Sequence, residues 1–316
     1  MITSLHVRNF KRFESLDMNG FSKVNLLTGK NNCGKTGLLE AILLAATEID
    51  IQTAAHAFRR TDGLFQGRPF AHWFARSGAA EWETHIVDAF GKVHSRMNAH
   101  DLKKALKTFS ELGGMDPHVK GVGNAYGLNP NSTPVLAIPS WPIPAEDEAV
   151  EFDRMILRKQ EKIFEARLRS VEPKLESVRA LQPDSKRVLF ADVGLPEMIP
   201  LSLLGQGVLR LTSIFIRALG AKADILLIDE IENGLHHGAL VELWKGLKEL
   251  SDQEGTQIFA TTHSMECIAA ASQVFGAGPD AGLSFHRIED VKGVPTAISI
   301  NAERLASMLE IGFEIR

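Results

Sequence analysis

Residues 24–36 read VNLLTGKNNCGKT, and few folds accommodate that run. The apolar run Val24-Asn25-Leu26-Leu27 reads as a strand, and Gly37 to Ala46 reads as an apolar helix. Between them Gly29-Lys30-Asn31-Asn32-Cys33-Gly34-Lys35-Thr36 fits the spacing G-x-x-x-x-G-K-[ST]. A strand, a glycine-bounded loop and a helix are the context in which that spacing cradles phosphate. Backbone N–H groups of Gly29, Asn31, Asn32, Cys33 and Gly34 would wrap the anion, and the helix N-terminus adds favourable dipole. Lys35 would reach the β- and γ-phosphates, and the Thr36 hydroxyl would hold Mg²⁺. Cys33 is read as a small side chain filling the loop rather than as a redox centre.

The chain has 316 residues, 44% of them hydrophobic, enough for a substantial core in one large domain or two. A formal charge of −4 gives no global attraction to nucleic acid. Two cysteines, Cys33 and Cys267, suggest no disulfide framework. No signal-peptide pattern opens the chain, and no apolar run reaches the roughly 20 residues of a membrane span. A reducing cytoplasm and no membrane partner are expected.

A second constellation lies far downstream. Ile225-Leu226-Leu227-Ile228-Asp229-Glu230 is a buried-strand pattern ending in two carboxylates. Ligands sit at such C-terminal strand edges in open α/β sheets. Asp229 suits the Mg²⁺ shell, and Glu230 suits a general base that orients water toward a γ-phosphate. Phe259-Ala260-Thr261-Thr262-His263-Ser264 ends another apolar run, where His263 can contact the γ-phosphate. Gly205-Gln206-Gly207 precedes an expected helix over 207–219 and forms a second candidate anion site, suited to a nucleotide held by another subunit. A zinc site from Glu232, His236 and His237 lacks supporting spacing; that turn is read instead as a partner contact.

Elsewhere, residues 2–9 and 13–18 alternate as strands. Residues 83–97 read as a hairpin across Phe90-Gly91-Lys92, and residues 151–171 as one helix. Residues 112–145 read as loops and short strands. Helix 235–250 and short strands at 283–286 and 297–300 follow. The order of elements implies an α/β core built from both ends of the chain, with a lobe between.

These motifs, with the opening Leu5-His6-Val7-Arg8-Asn9-Phe10-Lys11-Arg12-Phe13 and the ending Leu309-Glu310-Ile311-Gly312-Phe313-Glu314-Ile315-Arg316, resemble the ABC-type ATPase heads of the SMC/RecF superfamily. The likeness is closest to stand-alone OLD-type (overcoming lysogenisation defect) ATPases and covers roughly residues 1–48 and 186–316. It implies an α/β P-loop NTPase of ABC/SMC-head type: a mixed sheet core, N-terminal antiparallel strands and an inserted α-helical lobe at about 80–185 in a single domain. It further implies a homodimer or higher oligomer closed on two ATP molecules. Each site would join Lys35, Thr36, Asp229, Glu230 and His263 of one chain to Gly205, Gln206 and Gly207 of the other. A separate effector is expected, a nuclease in anti-phage defence, since the chain carries no Toprim nuclease pattern. The alternative is RecF-like DNA binding through Arg59, Arg60, Arg68, Arg76, Trp73 and Phe74. Three positions depart from the family. Leu204 stands where the signature serine falls, His237 replaces a frequent proline, and the glutamine linking Mg²⁺ to the lobe has only Gln52 and Gln66 as candidates.

Overall fold

The computed structural model describes residues 1–47, 54, 57–58, 82–91, 134–183, 185–278 and 280–311. Its centre is a six-stranded sheet in the order β12-β11-β3-β10-β9-β5. The strands are β3 (Val24–Gly29), β5 (Val135–Ile138), β9 (Ile225–Ile228), β10 (Gln257–Thr262), β11 (Leu283–Val291) and β12 (Val294–Asn301). All pair in parallel except β12, which returns antiparallel beside β11. β3, β5, β9 and β10 are buried throughout, which explains their continuous apolar runs: both faces of the sheet are covered.

Alternate side chains serve the two faces. Leu226, Ile228, Ile258 and Ala260 join a large cluster with α4 (Gln206–Gly220), α5 (His237–Glu254) and α6 (Met265–Phe275). Ile225, Leu227 and Phe259 join a second cluster with α1 (Lys35–Ala46) and the N-terminal strands. There β1 (Ile2–Phe10) pairs antiparallel with β2 (Phe13–Asn19) on one side and β4 (Glu83–Asp88) on the other. Leu38, Leu39 and Ile42 of α1 are wholly buried between the two sheets. Truncating any of them to alanine should cost about 2–5 kcal/mol.

Over the larger cluster pack α2 (Ala145–Leu157), α3 (Glu161–Arg169) and a small antiparallel sheet of β6 (Ser177–Leu181), β7 (Val188–Asp192) and β8 (Ile199–Pro200). A 3-10 turn at Leu201–Leu204 leads into α4, and α7 (Ala302–Glu310) follows β12.

Several sequence expectations change. The single helix over 151–171 is two helices, broken where Lys159 takes φ 60°. Arg158 at the break donates to the carbonyls of Leu219 and Ala221 at 2.8 and 2.9 Å, so it satisfies the end of α4. The strand at 83–88 pairs with β1, and the chain turns after it through a bond from Gly91 N–H to Asp88 O at 3.0 Å. The second arm of the expected hairpin lies outside the described residues. The short strands at 283–286 and 297–300 are parts of the longer β11–β12 hairpin. The 80–185 stretch serves three places: β4 joins the N-terminal sheet, β5 the edge of the central one, and α2, α3 and β6 the covering layer. Gln52, Gln66, the segment carrying Arg59, Arg60, Arg68, Arg76, Trp73 and Phe74, and residues 312–316 lie outside the described residues. No helix among the described residues is long and apolar enough to cross a membrane.

Candidate active site

The loop between β3 and α1 turns on backbone conformations that a side chain would oppose. Gly29 has φ 146°, and a Cβ there would lie 2.5 Å from Ile288 O and 2.7 Å from Cys33 Sγ. Gly34 has φ 103°, and a Cβ would lie 2.5 Å from Phe13 Cζ. Cys33 is buried, in keeping with a small loop-filling side chain. The hairpin turn between β1 and β2 closes over this loop. Arg12 donates to Asn32 O and reaches Asp290 Oδ2 at 3.3 Å, while Lys11 pairs with buried Glu40 of α1. The Lys35 ammonium lies inside the loop, donating to the carbonyls of Gly29 and Lys30 at 2.8 and 3.2 Å.

The two distant motifs meet directly. Thr36 Oγ1 donates to Asp229 Oδ1 and Oδ2 at 3.1 and 3.0 Å. Thr261 Oγ1 donates to Asp229 Oδ1 at 2.7 Å and accepts the Glu230 N–H at 2.8 Å. Burial pushes the Asp229 carboxyl above its ordinary 3.8; the hydrogen bonds from Thr261 and Thr36 and the charge of Arg210 oppose that rise, and neighbouring Glu230 adds to it. Glu230 sits at φ 44°, left-handed backbone that is rare for a residue with a Cβ. Its carboxylate accepts from Asn233 Nδ2 at 2.8 Å. His263, at the end of β10, is tied to Glu232: Oε1 takes the His263 N–H at 2.8 Å and contacts ring Nδ1 at 3.0 Å.

Gly205, Gln206 and Gly207 lie at the start of α4. They pack on the turn that follows Glu230: a Cβ on Gly207 would lie 3.2 Å from Gly234 O, and one on Gly234 3.2 Å from Gln206 Cβ. Gly205, at φ 95°, and Gln206 are exposed, and no side chain caps the N-terminus of α4. The structure thus brings Lys35, Thr36, Asp229, Glu230 and His263 to adjacent strand ends and leaves Gly205 and Gln206 exposed.

Three contributors escaped sequence reasoning. Buried Arg210 donates to the carbonyls of Pro139, Asp229 and Glu230 at 2.6, 2.8 and 3.2 Å, joining α4 to the carboxylate turn and the loop after β5. Burial lowers its guanidinium to about 10, which leaves it charged at neutral pH. Thr261 and Asn233 are the others. Arg210 donates to main-chain carbonyls and Thr261 to a side chain at the end of another strand, so spacing gave no signal for either; Asn233 meets Glu230 within one turn.

The sequence matches the AAA ATPase domain family over residues 1–62 and 85–268. A protein of Helicobacter pylori named ATP/GTP phosphatase is 22% identical over 335 residues, covering 87% of this chain and 88% of that protein. Among solved structures, an SMC head bound to the C-terminal winged-helix domain of ScpA aligns with TM-score 0.55 and 14% identity over 97% of this chain and 99% of that one. A second SMC head, bound to the C-terminal domain of ScpA derived from Pyrococcus furiosus, aligns with TM-score 0.53 and 13% identity over 98% of each chain. These structures share the fold, an α/β P-loop NTPase head. With more than half of its length matched by the family, and a phosphate loop joined to a carboxylate strand, the chain belongs to the AAA ATPase domain family designated AAA_15.

Proposed function

We propose that this ATPase head closes with a second copy on ATP and that the closure controls a separate effector, a nuclease in bacterial anti-phage defence. The observation that carries the nucleotide part is the Thr36–Asp229 contact, which joins the phosphate loop to the carboxylate strand. Gly29, Asn31, Asn32, Cys33 and Gly34 wrap the phosphates, and Lys35 exchanges its carbonyl partners for β- and γ-phosphate oxygens. Thr36 and Asp229 present hard oxygen donors side by side, the donor chemistry Mg²⁺ takes, and the ion would neutralise phosphate charge there. Glu230 accepts a proton from the attacking water. His263, held by Glu232, contacts the γ-phosphate.

Dimerisation draws support from Gly205 and Gln206, exposed at an α4 N-terminus that no side chain caps. Gly205, Gln206 and Gly207 then cap the nucleotide of the partner, with main-chain donors serving where Leu204 has no hydroxyl. The relative named ATP/GTP phosphatase supports triphosphate hydrolysis, and solved heads bound to ScpA support engagement of another protein. OLD-type kinship and a cytoplasmic setting complete the reading.

Glu230→Gln should lower turnover by about 10²–10⁴-fold and trap an ATP-bound dimer, read by light scattering. Lys35→Ala should abolish both nucleotide binding and the dimer. A Glu230→Gln protein that stays monomeric at saturating ATP removes the closure. For the effector, the product of the neighbouring reading frame should show nuclease activity that depends on ATP and is lost with Lys35→Ala. ATP-dependent DNA affinity of the head alone would favour the RecF-like alternative.

A further inference from the structure

Glu230 combines a strained backbone with a long, rotatable side chain. Left-handed φ in a residue with a Cβ persists only where its surroundings over-determine it. Here Thr261 accepts the Glu230 N–H at 2.8 Å and Arg210 donates to its carbonyl at 3.2 Å. Those contacts fix the backbone but leave the carboxylate free to swing. Asn233 supplies the missing restraint. Its Nδ2 donates to Glu230 Oε2 at 2.8 Å and to Ser140 O at 3.2 Å, and its own N–H closes the turn onto Glu230 O at 3.1 Å.

We infer that Asn233 is a positioning residue for Glu230, an inference that rests on the reading of Glu230 as the base. The amide pins Oε2 and leaves Oε1 to take the proton of a water. Anchorage to Ser140, in the loop after β5, fixes the amide plane from a second element. A neutral donor suits the place: it orients the carboxylate without the full charge that would bind it as an ion pair. Aspartate has the same shape but no N–H, and would set one carboxylate against another.

Steady-state hydrolysis with ATP and Mg²⁺ tests this on the full chain with Asn233→Ala, Asn233→Asp, Glu230→Gln and the Asn233→Ala/Glu230→Gln double variant. Misplacing a catalytic group costs up to about 10²-fold, so Asn233→Ala should lower kcat by about 10–100-fold with KM unchanged. Asn233→Asp, of equal size, should lower kcat further and serves if the alanine variant fails to fold. In the Glu230→Gln background, Asn233→Ala should change nothing more. Equal fold-losses in both backgrounds, or full kcat in a folded Asn233→Ala protein, overturns the inference while leaving Glu230 as the base. Full turnover in Glu230→Gln removes the base itself and this inference with it.

Discussion

Glu232 and His263 are joined twice through one oxygen: Glu232 Oε1 lies 2.8 Å from the His263 backbone nitrogen and 3.0 Å from ring Nδ1. Glu232 is buried, and its Oε2 has no hydrogen-bond partner among the described residues. A carboxylate that takes Nδ1–H sets the tautomer and leaves Nε2 for a ligand.

With His263 as the γ-phosphate contact, Glu232→Ala should reduce turnover more than ATP affinity. It should also destabilise the fold by about 1–3 kcal/mol, because the His263 N–H loses its acceptor. Glu232→Gln keeps an acceptor oxygen and should recover most of the stability. Urea unfolding and ATPase assays on the two variants separate the effects; equal stability in both removes the structural half.

Asp229 makes a pH-dependent contribution with a definite sign. Burial raises its folded value above the ordinary 3.8, so the fold holds that proton more tightly than the unfolded chain. The resulting stabilisation is fully present below 3.8 and is lost as pH rises through the raised folded value. Asp229→Asn carries no such loss. Its melting temperature relative to the parent should therefore climb as pH rises above about 4, by roughly 2–4 °C for each kcal/mol relieved, while hydrolysis collapses. A gap that stays flat as pH rises would show that the carboxylate costs the fold nothing.

Gly34→Ala tests the loop itself. The added methyl would meet the Phe13 ring at 2.5 Å on a backbone at φ 103°. Strain of this kind costs about 1–3 kcal/mol, and relieving it must move the loop or the β1–β2 turn. Nucleotide binding should be lost, with the protein still folded but melting lower. Unchanged nucleotide affinity by calorimetry would show that the loop tolerates displacement.

Much of this site was legible in the chain because its groups sit at strand ends, where apolar runs announce the strand and the next residues fall at its edge. Asp229, Glu230 and His263 follow the buried runs of β9 and β10, and Lys35 and Thr36 open α1. Arg210 was illegible for a physical reason. Arg210 donates to three carbonyls, and a carbonyl carries no side-chain identity to read. The break between α2 and α3 was hidden too, since neither Gly nor Pro marks it; Arg158 fixes it through contacts with the end of a helix some sixty residues away. The pairing of residues 83–88 with β1 was hidden because local turn signals say nothing of partners distant in sequence.

The strand that launches the phosphate loop is flanked on both sides by strands from the far end of the chain, β10 and β11. Its backbone edges therefore find no partner strand until late in translation, although α1 and the N-terminal strands can cover one face. A ribosome must release the chain as far as Ile288 before β3 gains both neighbours, and contacts so distant in sequence form slowly. Until then its edges stay open on the nascent polypeptide, so the strand that later leads into the phosphate grip is one that invites chaperone protection during synthesis.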